Sequence, residues 1–256
     1  MTQHRSAVVF VLAGLVTAGC GGAAPAAGHG GKSAPQAQAG PAVTLAPGAS
    51  PLCAQAPSAS HLAVNLNGPG VGSPQATSGT LQAVNYNDPQ QGDGPFAPVT
   101  VGGRSAIQIL PGRSNGKATS WGELYFATNG AVPAGTRDVE LCIETYDASA
   151  GDVLAADFSG TNTAAPQRGA YDAAPEAYLT TGSDRWLTIS FPFNGINFAA
   201  GDAGAGLENA QADFRVQVGP PLTGQVVFDR AWLVTTKVPT GQSLDATPGA
   251  SGATKL

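Results

Sequence analysis

The chain has 256 residues with 12 basic and 17 acidic side chains, so its formal net charge at pH 7 is −5. A chain with this acidic balance lacks the basic surface that nucleic acids require, and we expect no nucleic-acid partner. Only 11% of the residues are charged, while 35 are glycine and 20 are proline, which indicates short strands joined by turns rather than a helical bundle.

The N-terminal segment has the pattern of an export signal. Arg5 precedes an apolar run over residues 7–16, which is shorter than the roughly 20 residues that a transmembrane helix needs. Small residues at 17–19 then precede Cys20, and this arrangement resembles the lipobox of bacterial lipoproteins. The resemblance implies that residues 1–19 are removed as a signal peptide and that Cys20 carries lipid, which anchors the protein to the membrane outside the cytoplasm. The alternative is an ordinary secretory signal with an incidental cysteine.

Composition predicts flexible segments on both sides of one domain. Residues 20–51 are rich in Ala, Gly and Pro and contain almost no aromatic or branched apolar side chains. Such a segment cannot bury enough apolar surface to offset the entropy of ordering it, and we interpret it as a tether. Residues 239–256 have the same character and are predicted to be a disordered tail. The domain is therefore predicted over residues 52–238.

Nine strand-like runs occur in this central region. They are separated by clusters of Gly, Pro, Asn and Asp, and no stretch shows a sustained helical period. The runs cover residues 80–86, 105–110, 121–127, 137–147, 152–158, 176–181, 185–193, 212–219 and 225–236. Eight or nine strands at this spacing predict an all-β fold in which two antiparallel sheets pack as a sandwich.

The other two cysteines are predicted to form a disulfide. Outside the cytoplasm, Cys53 and Cys142 would pair most simply with each other, and two free thiols are the alternative. Alternation within residues 137–147 places Cys142 on the polar face of its strand, together with Glu140 and Glu144. Cys53 is therefore expected to approach from outside the core and to strap its own segment across the sheet.

The strand pattern resembles a known family of β-sandwiches. The pattern consists of the runs WGELYFA, RDVELCIETYD, DVLAADF and RWLTISFPF, followed by Phe228, Asp229, Arg230 and Ala231 in the last strand. It is similar to the pattern of the galactose-binding-like jelly rolls. Many carbohydrate-binding modules of bacterial glycosidases belong to that family. The resemblance covers about 80–236 and implies a jelly-roll fold with carbohydrate as a partner, although no residue of a known sugar or calcium site transfers to this chain.

Carboxylates are the remaining candidates for catalysis. Apart from the signal segment, the chain contains only His29 and His61 and no G-x-S-x-G motif, which argues against histidine-based catalysis and multi-histidine zinc sites. Glu140 and Glu144 share one strand face about 13 Å apart, which is wider than a glycosidase pair requires. Glu123 could approach one of them from a neighbouring strand. The alternative is that all three lie on solvated strand faces.

A cluster of oxygen-bearing side chains suggests a structural calcium site. Asn85, Asn87, Asp88 and Asp93 lie in the segment NYNDPQQGDG, and calcium prefers such oxygen ligands on loops. The same residues are also those that tight turns require, so a plain turn is the alternative. No other cofactor is expected.

Exposed aromatic residues are the candidates for stacking against sugar rings. Tyr171 and Tyr178 flank a stretch rich in Ala, Gly and Pro that we interpret as a long loop, and they are the best surface candidates, with Trp121 and Tyr125 in second place. The sequence is therefore interpreted as a lipid-anchored extracytoplasmic protein with a non-catalytic module that binds glycan or an envelope polymer. A small carboxylate-dependent glycoside hydrolase or lyase, and a structural envelope lipoprotein without a small ligand, are the alternatives.

Overall fold

The structure is a computed structural model that describes residues 43–55, 57, 62–66, 81–86, 89–90, 92, 94–165, 169–198, 212–219, 221–222 and 224–236. All of these residues belong to one unit, Ala39–Leu256. They form a two-sheet sandwich, which confirms the predicted all-β jelly-roll fold. In this described part of the chain, no helix has the length and apolar character needed to cross a membrane.

The described residues form fourteen strands. Their bounds are β1 Thr44–Leu45, β2 Leu62–Asn65, β3 Gln82–Val84, β4 Phe96–Val101, β5 Arg104–Ile109, β6 Arg113–Ser114, β7 Lys117–Ala118, β8 Gly122–Ala127, β9 Asp138–Asp147, β10 Ala150–Phe158, β11 Asp172–Thr181, β12 Trp186–Asn194, β13 Phe214–Val218 and β14 Val226–Thr235. Each of the nine predicted runs coincides with one strand. The sequence pattern missed β1, β2, β4 and the short pair β6 and β7.

The strands form a larger and a smaller sheet. The larger sheet has seven strands in the order β1-β12-β9-β14-β5-β4, with β2 also paired to β14. The smaller sheet has five strands in the order β11-β10-β13-β8-β3, and β6 pairs only with β7. Pairing is antiparallel except between β1 and β12, which are parallel.

The core lies between the two sheets and contains inward-facing residues of most strands, whereas β1, β6 and β7 contribute no buried residue. In β9, Leu141 and Ile143 face the core as the alternation predicts. Phe126 of β8 stacks on Phe214 of β13 with ring centroids 4.9 Å apart. Further fully buried rings are those of Phe158, Phe191, Phe193 and Phe228. Since each buried side chain of this size contributes about 1.5–3 kcal/mol, this layer supplies most of the driving force for folding.

A strap of residues 43–55 lies along the edge and the outer face of the larger sheet. It begins with β1, which pairs with β12 over two residues, and ends in a short 3-10 helix at Pro51–Ala54. Between these elements, the Ala46 N–H donates to the carbonyl oxygen of Thr188 at 2.9 Å. The strap is therefore held on β12 mainly by main-chain contacts.

The strap is also tied covalently to the centre of the larger sheet. Cys53 forms a disulfide with Cys142 of β9, and their Cα atoms are 5.5 Å apart. Both residues are buried with Trp232 in a small cluster on the outer face, separate from the main core. The predicted pairing, and the approach of Cys53 from outside the core, are confirmed.

Ordered structure begins earlier in the chain than composition predicts. The tether was expected to reach residue 51 and the domain to begin at residue 52, which is wrong for residues 43–51 because they form β1 and the start of the 3-10 helix. Pairing with β12 orders them although they carry few large apolar side chains. The predicted signal peptide 1–19, the earlier part of the tether and the tail 239–256 lie outside the described residues.

Candidate functional site

A groove runs between the strap and β11 along one edge of the sandwich. It consists of two adjoining cavities, a wide one of about 490 Å³ and a narrow one of about 340 Å³. The cavities share Pro47, Ala177 and Tyr178. The wide cavity is lined in addition by Thr44, Leu45, Leu179, Thr181, Ser183, Arg185 and Leu187. The narrow cavity is lined in addition by Ala46, Gly48, Ala49, Glu176, Ile189 and Ser190.

The groove exists because both sheets end at this edge. β11 is the last strand of the smaller sheet, and Pro175 within it lacks the N–H that a further strand would need. On the opposite side, β1 covers only two residues of β12. The two sheet edges therefore leave an open channel between them instead of a closed core.

Tyr178 lies where the two cavities meet. It lies on β11 and pairs with Leu154 on the neighbouring strand β10, and its half-buried ring packs against the main core. Burial raises the pKa of its phenol above the ordinary value, and the negative charge of Asp147 adds to this effect. The ring is therefore a neutral, fixed aromatic surface at the centre of the groove.

The loop after β11 forms one end of the wide cavity and is fixed by a single carboxylate. Asp147 accepts five hydrogen bonds, from the main-chain N–H groups of Thr181, Gly182 and Ser183 and from the hydroxyls of Thr181 and Ser183. Gly182 has a φ of +68°, a left-handed conformation that favours glycine. Burial alone would raise the pKa of Asp147, but these hydrogen bonds outweigh it and hold the pKa below its ordinary value.

The predicted stacking residues do not form one group. Tyr178 lines the groove, but the expectation that Tyr171 is exposed is wrong, because its side chain is only 9% exposed. Tyr125 is also buried, and it clusters with Tyr171 on the outer face of the smaller sheet. Trp121 is half-buried just before β8. Most of the stretch that was interpreted as a loop is the strand β11.

Tyr125 and Tyr171 surround an arginine that the sequence pattern did not single out. Arg215 of β13 lies over the Tyr171 ring, 4.5 Å from its centroid, and donates to Glu123 at 2.9 Å and to Asp157 at 2.9 Å. Glu123 also accepts from the hydroxyl of Tyr125. These contacts raise the pKa of Arg215 well above its ordinary value despite the opposing effect of burial. The group is an internally paired network, which we call the Arg215 network.

The three candidate catalytic carboxylates are separated by the sandwich itself. Glu123 lies in the smaller sheet, whereas Glu140 and Glu144 lie in the larger sheet. The expectation that Glu123 could approach one of the others is therefore wrong. The reason is that consecutive strands β8 and β9 enter different sheets, which alternation along each strand does not reveal.

Glu140 and Glu144 are not solvated either, although each has a different environment. Glu144 accepts two hydrogen bonds from Arg230, at 3.0 and 2.7 Å, and one from Arg104 at 3.0 Å. Arg104 also pairs with Asp229 at 3.0 Å, so the network contains two arginines and two carboxylates. Burial raises the pKa of Glu140, while its hydrogen bond with Ser190 lowers it. The alternative of solvated strand faces is thus wrong for both residues.

The predicted calcium ligands fall mostly outside the described residues. Asn87, Asp88 and Asp93 are not described, and Asn85 is. Within the described ranges, no three His, Cys, Asp or Glu side chains are grouped so that they could hold a metal ion. The calcium site stays a prediction, as does lipidation of Cys20, which also lies outside these ranges.

Comparisons with known proteins give structural neighbours but no family. No family profile matches the chain, and no characterised protein matches it in sequence. It is similar to the carbohydrate-binding module CBM6cm-2 from Cellvibrio mixtus lichenase 5A in complex with cellotriose, with a TM-score of 0.32 and 14% identity over 61% of this chain and 98% of that chain. It is also similar to the enzymatically active domain of tailspike protein 4 from bacteriophage CBA120, with a TM-score of 0.31 and 8% identity over 66% of this chain and 21% of that chain.

Proposed function

We propose that this protein is a non-catalytic binding module that holds an extended glycan or envelope polymer in the groove between the strap and β11. The observation that carries the proposal is the position of Tyr178, a neutral, half-buried ring at the junction of two adjoining cavities. A channel that is open along its length admits a chain-like ligand, and an aromatic ring in its centre supplies an apolar surface for the C–H face of a sugar.

Polar groups next to the ring suit a ligand with many hydroxyls. Thr44, Thr181 and Ser183 line the wide cavity, and Ser190 lines the narrow one. Each hydroxyl oxygen can accept a hydrogen bond from a sugar hydroxyl. The groove thus combines an aromatic surface with several dispersed hydrogen-bonding groups, as a carbohydrate site requires.

The ion pairing of the candidate carboxylates supports binding without catalysis. A general acid and base must both reach the substrate, yet Glu123 is 1% exposed within the Arg215 network and Glu144 is 2% exposed between two arginines. Glu176 is an exposed carboxylate in the narrow cavity. Its negative charge adds to the effect of burial in raising the pKa of Glu140, so the two carboxylates lie near each other. A hydrolase using these two residues is the alternative that the experiment below must exclude.

We further propose that the module works outside the cytoplasm and is attached to the membrane through lipid on Cys20. The support comes from the lipobox-like sequence and from the buried disulfide between Cys53 and Cys142, since disulfides persist mainly in oxidising compartments. The tether after Cys20 would allow the groove to reach polymers some distance from the membrane surface.

A retention experiment tests the proposal. The purified domain should be retarded by at least one polysaccharide in an affinity gel, from a panel of envelope and plant glycans, and should release no reducing ends from it. Tyr178→Ala should weaken binding about fivefold or more, since loss of an aromatic contact costs about 1 kcal/mol. Tyr86→Ala is the matched control, because Tyr86 is half-buried beside Tyr125 and away from the groove.

Two results would contradict the proposal. Release of reducing ends that Glu176→Gln abolishes would establish the hydrolase alternative. If no glycan of the panel retards the parent, and Tyr178→Ala behaves as the parent does, the structural lipoprotein without a small ligand would replace the binding module.

A further inference from the structure

The wide cavity contains a cation that is not neutralised within the described part of the chain. Arg185 is exposed and lines this cavity. In contrast, Arg104, Arg215 and Arg230 all lie in ion pairs with carboxylates at 2.7–3.0 Å. Among the described residues, Arg185 has no carboxylate within ion-pair distance. Its guanidinium is therefore available to a ligand.

The main chain that carries Arg185 is already fixed before any ligand binds. The Asp147 N–H donates to the carbonyl oxygen of Arg185 at 3.0 Å, and the Asp184 N–H donates to the carbonyl oxygen of Asp147 at 2.9 Å. The carboxylate of Asp147 holds the preceding residues 181–183 through its five hydrogen bonds. Binding a ligand there orders only the arginine side chain, and this lowers the entropic cost of association.

The surroundings of Arg185 match one particular kind of sugar. Leu45 and Leu179 are 37% and 59% exposed and form apolar walls of the same cavity, opposite each other on the strap and on β11. Thr181 and Ser183 use their hydroxyl protons on Asp147, so their oxygens remain able to accept from a ligand. A ligand that fits this cavity would have an apolar ring face to contact the leucine walls and hydroxyls to donate to the Thr181 and Ser183 oxygens. It would also carry one anionic group to pair with the guanidinium.

We propose that the wide cavity selects sugars that carry a carboxylate, and that Arg185 binds this carboxylate while the apolar walls contact the ring. A planar guanidinium offers two parallel N–H donors to a carboxylate, which gives geometric selection as well as attraction. The ligand class is therefore an acidic polysaccharide built from uronic acid units. This inference rests on the proposed glycan-binding function of the groove and names its ligand class.

Polygalacturonate and its methyl-esterified form provide the test, because they share one backbone and differ in the charge of the carboxyl group. The parent should bind polygalacturonate roughly tenfold more tightly than the ester, as expected for a charge-assisted hydrogen bond. Arg185→Gln should remove this preference, because both polymers then meet the same neutral side chain at this position. Arg185→Lys should keep part of it, because lysine retains the charge but not the paired donors.

Arg113→Gln is the matched control, since Arg113 is an exposed arginine on β6, outside the groove lining. It should keep the full preference of the parent. Raising the salt concentration to about 0.5 M should reduce the preference of the parent towards that of Arg185→Gln, because an exposed charge is screened.

The outcomes separate this inference from the proposed function. If the parent binds both polymers equally, or if Arg185→Gln keeps the preference, the carboxylate assignment is wrong while glycan binding still stands. Retention by dextran sulfate but not by polygalacturonate would also overturn it and indicate sulfated sugars instead. If the parent retains neither polymer nor any neutral glycan, both the inference and the proposed function fail.

Discussion

The carboxylate of Asp147 accepts hydrogen bonds from both the main-chain N–H and the hydroxyl of Ser183, at 3.1 and 2.7 Å. Asp147 is the last residue of β9 in the larger sheet, whereas Ser183 follows β11, the edge strand of the smaller sheet. The pair therefore connects the two sheets at the end of the groove. Stability of the fold and geometry of the groove should depend on the same carboxylate.

Asp147→Asn should lower both stability and groove binding. The amide keeps the volume of the side chain but loses the charge and presents an N–H₂ group to main-chain N–H donors. Since hydrogen bonds to a charged group contribute about 1.5–3 kcal/mol, we expect a loss of roughly 2 kcal/mol in the free energy of unfolding. Urea titration measures it. Asp184→Asn, at an exposed neighbouring position, should cost less than about 0.5 kcal/mol; an equal cost at both positions would contradict the assignment.

The lowered pKa of Asp147 also predicts how the stability of the fold depends on pH. The folded-state pKa of Asp147 lies below the ordinary carboxyl value of about 3.9, so its contribution is fully present above that value. It is lost as the pH falls through the lowered folded-state pKa. The stability difference between the parent and Asp147→Asn should thus be constant above about pH 5 and shrink towards pH 2. Urea titrations at several pH values measure this difference, and a gap that widens on acidification would contradict the prediction.

The limits of sequence reasoning are clearest in β9. Its alternation correctly predicts that Leu141 and Ile143 face the core and that Cys142 faces outward, because period-two patterning is local to one strand. The partners of that outer face are set by the order of strands in each sheet. Glu144 pairs with Arg230, which is 86 residues away along the chain. No local pattern encodes such a pairing, so neither the catalytic nor the solvated interpretation of the carboxylates included it.

The groove could not be predicted for a related reason. Its strap wall comes from residues 44–49, whose composition resembles a flexible linker, and these residues are ordered by long-range contacts, chiefly the pairing with β12. Tyr178 was selected as a surface aromatic residue, and it does line the groove. Tyr171 was selected by the same reasoning, yet it is buried over Arg215, because composition does not show which side of a strand another side chain will cover.

Reduction of the disulfide should weaken ligand binding as well as stability. Without the bond between Cys53 and Cys142, the strap keeps its pairing with β12, the hydrogen bond from the Ser50 N–H to the Ser190 hydroxyl and the burial of Ala46, but one wall of the groove loses its covalent support. The double variant Cys53→Ala/Cys142→Ala should lose about 2–5 kcal/mol in the free energy of unfolding. Denaturant titration and binding assays measure both effects under conditions where the variant is still folded. Unchanged glycan affinity in that folded variant would argue against the strap as a binding wall.

The Arg215 network should matter for stability and not for binding. Arg215→Met leaves the carboxylates of Glu123 and Asp157 without their cation, and breaking a buried ion pair in this way costs about 3–5 kcal/mol. Adding Glu123→Gln to Arg215→Met should recover part of that loss, because the uncompensated buried charge is then removed. Thermal or urea unfolding checks the sign of this coupling. Glycan affinity of the folded variants should equal that of the parent.

The proposed attachment of lipid to Cys20 leads to a separate prediction. Because a thioether needs the sulfur of this residue, Cys20→Ala should move the protein from the membrane fraction to the soluble fraction of cells that export it. Detergent partitioning of the parent and the variant measures the change. If the variant still partitions with the membrane, the lipoprotein assignment is wrong, although the groove and its ligand are unaffected by that result.

The position of Cys142 also determines how the domain should respond to mechanical force. A pull on the chain before Thr44 loads β1 first, and β1 is held by only two residue pairs with β12. The pull then stops at Cys53, where the disulfide passes the load to β9, a strand that is hydrogen-bonded along most of its length to β12 on one side and β14 on the other. The chain between Cys53 and Cys142 is shielded from the tension, because the disulfide bypasses it. Under load, β1 and the rest of the strap before Cys53 should detach and open the groove while the other strands of both sheets stay paired, so tension would weaken ligand binding before it unfolds the protein.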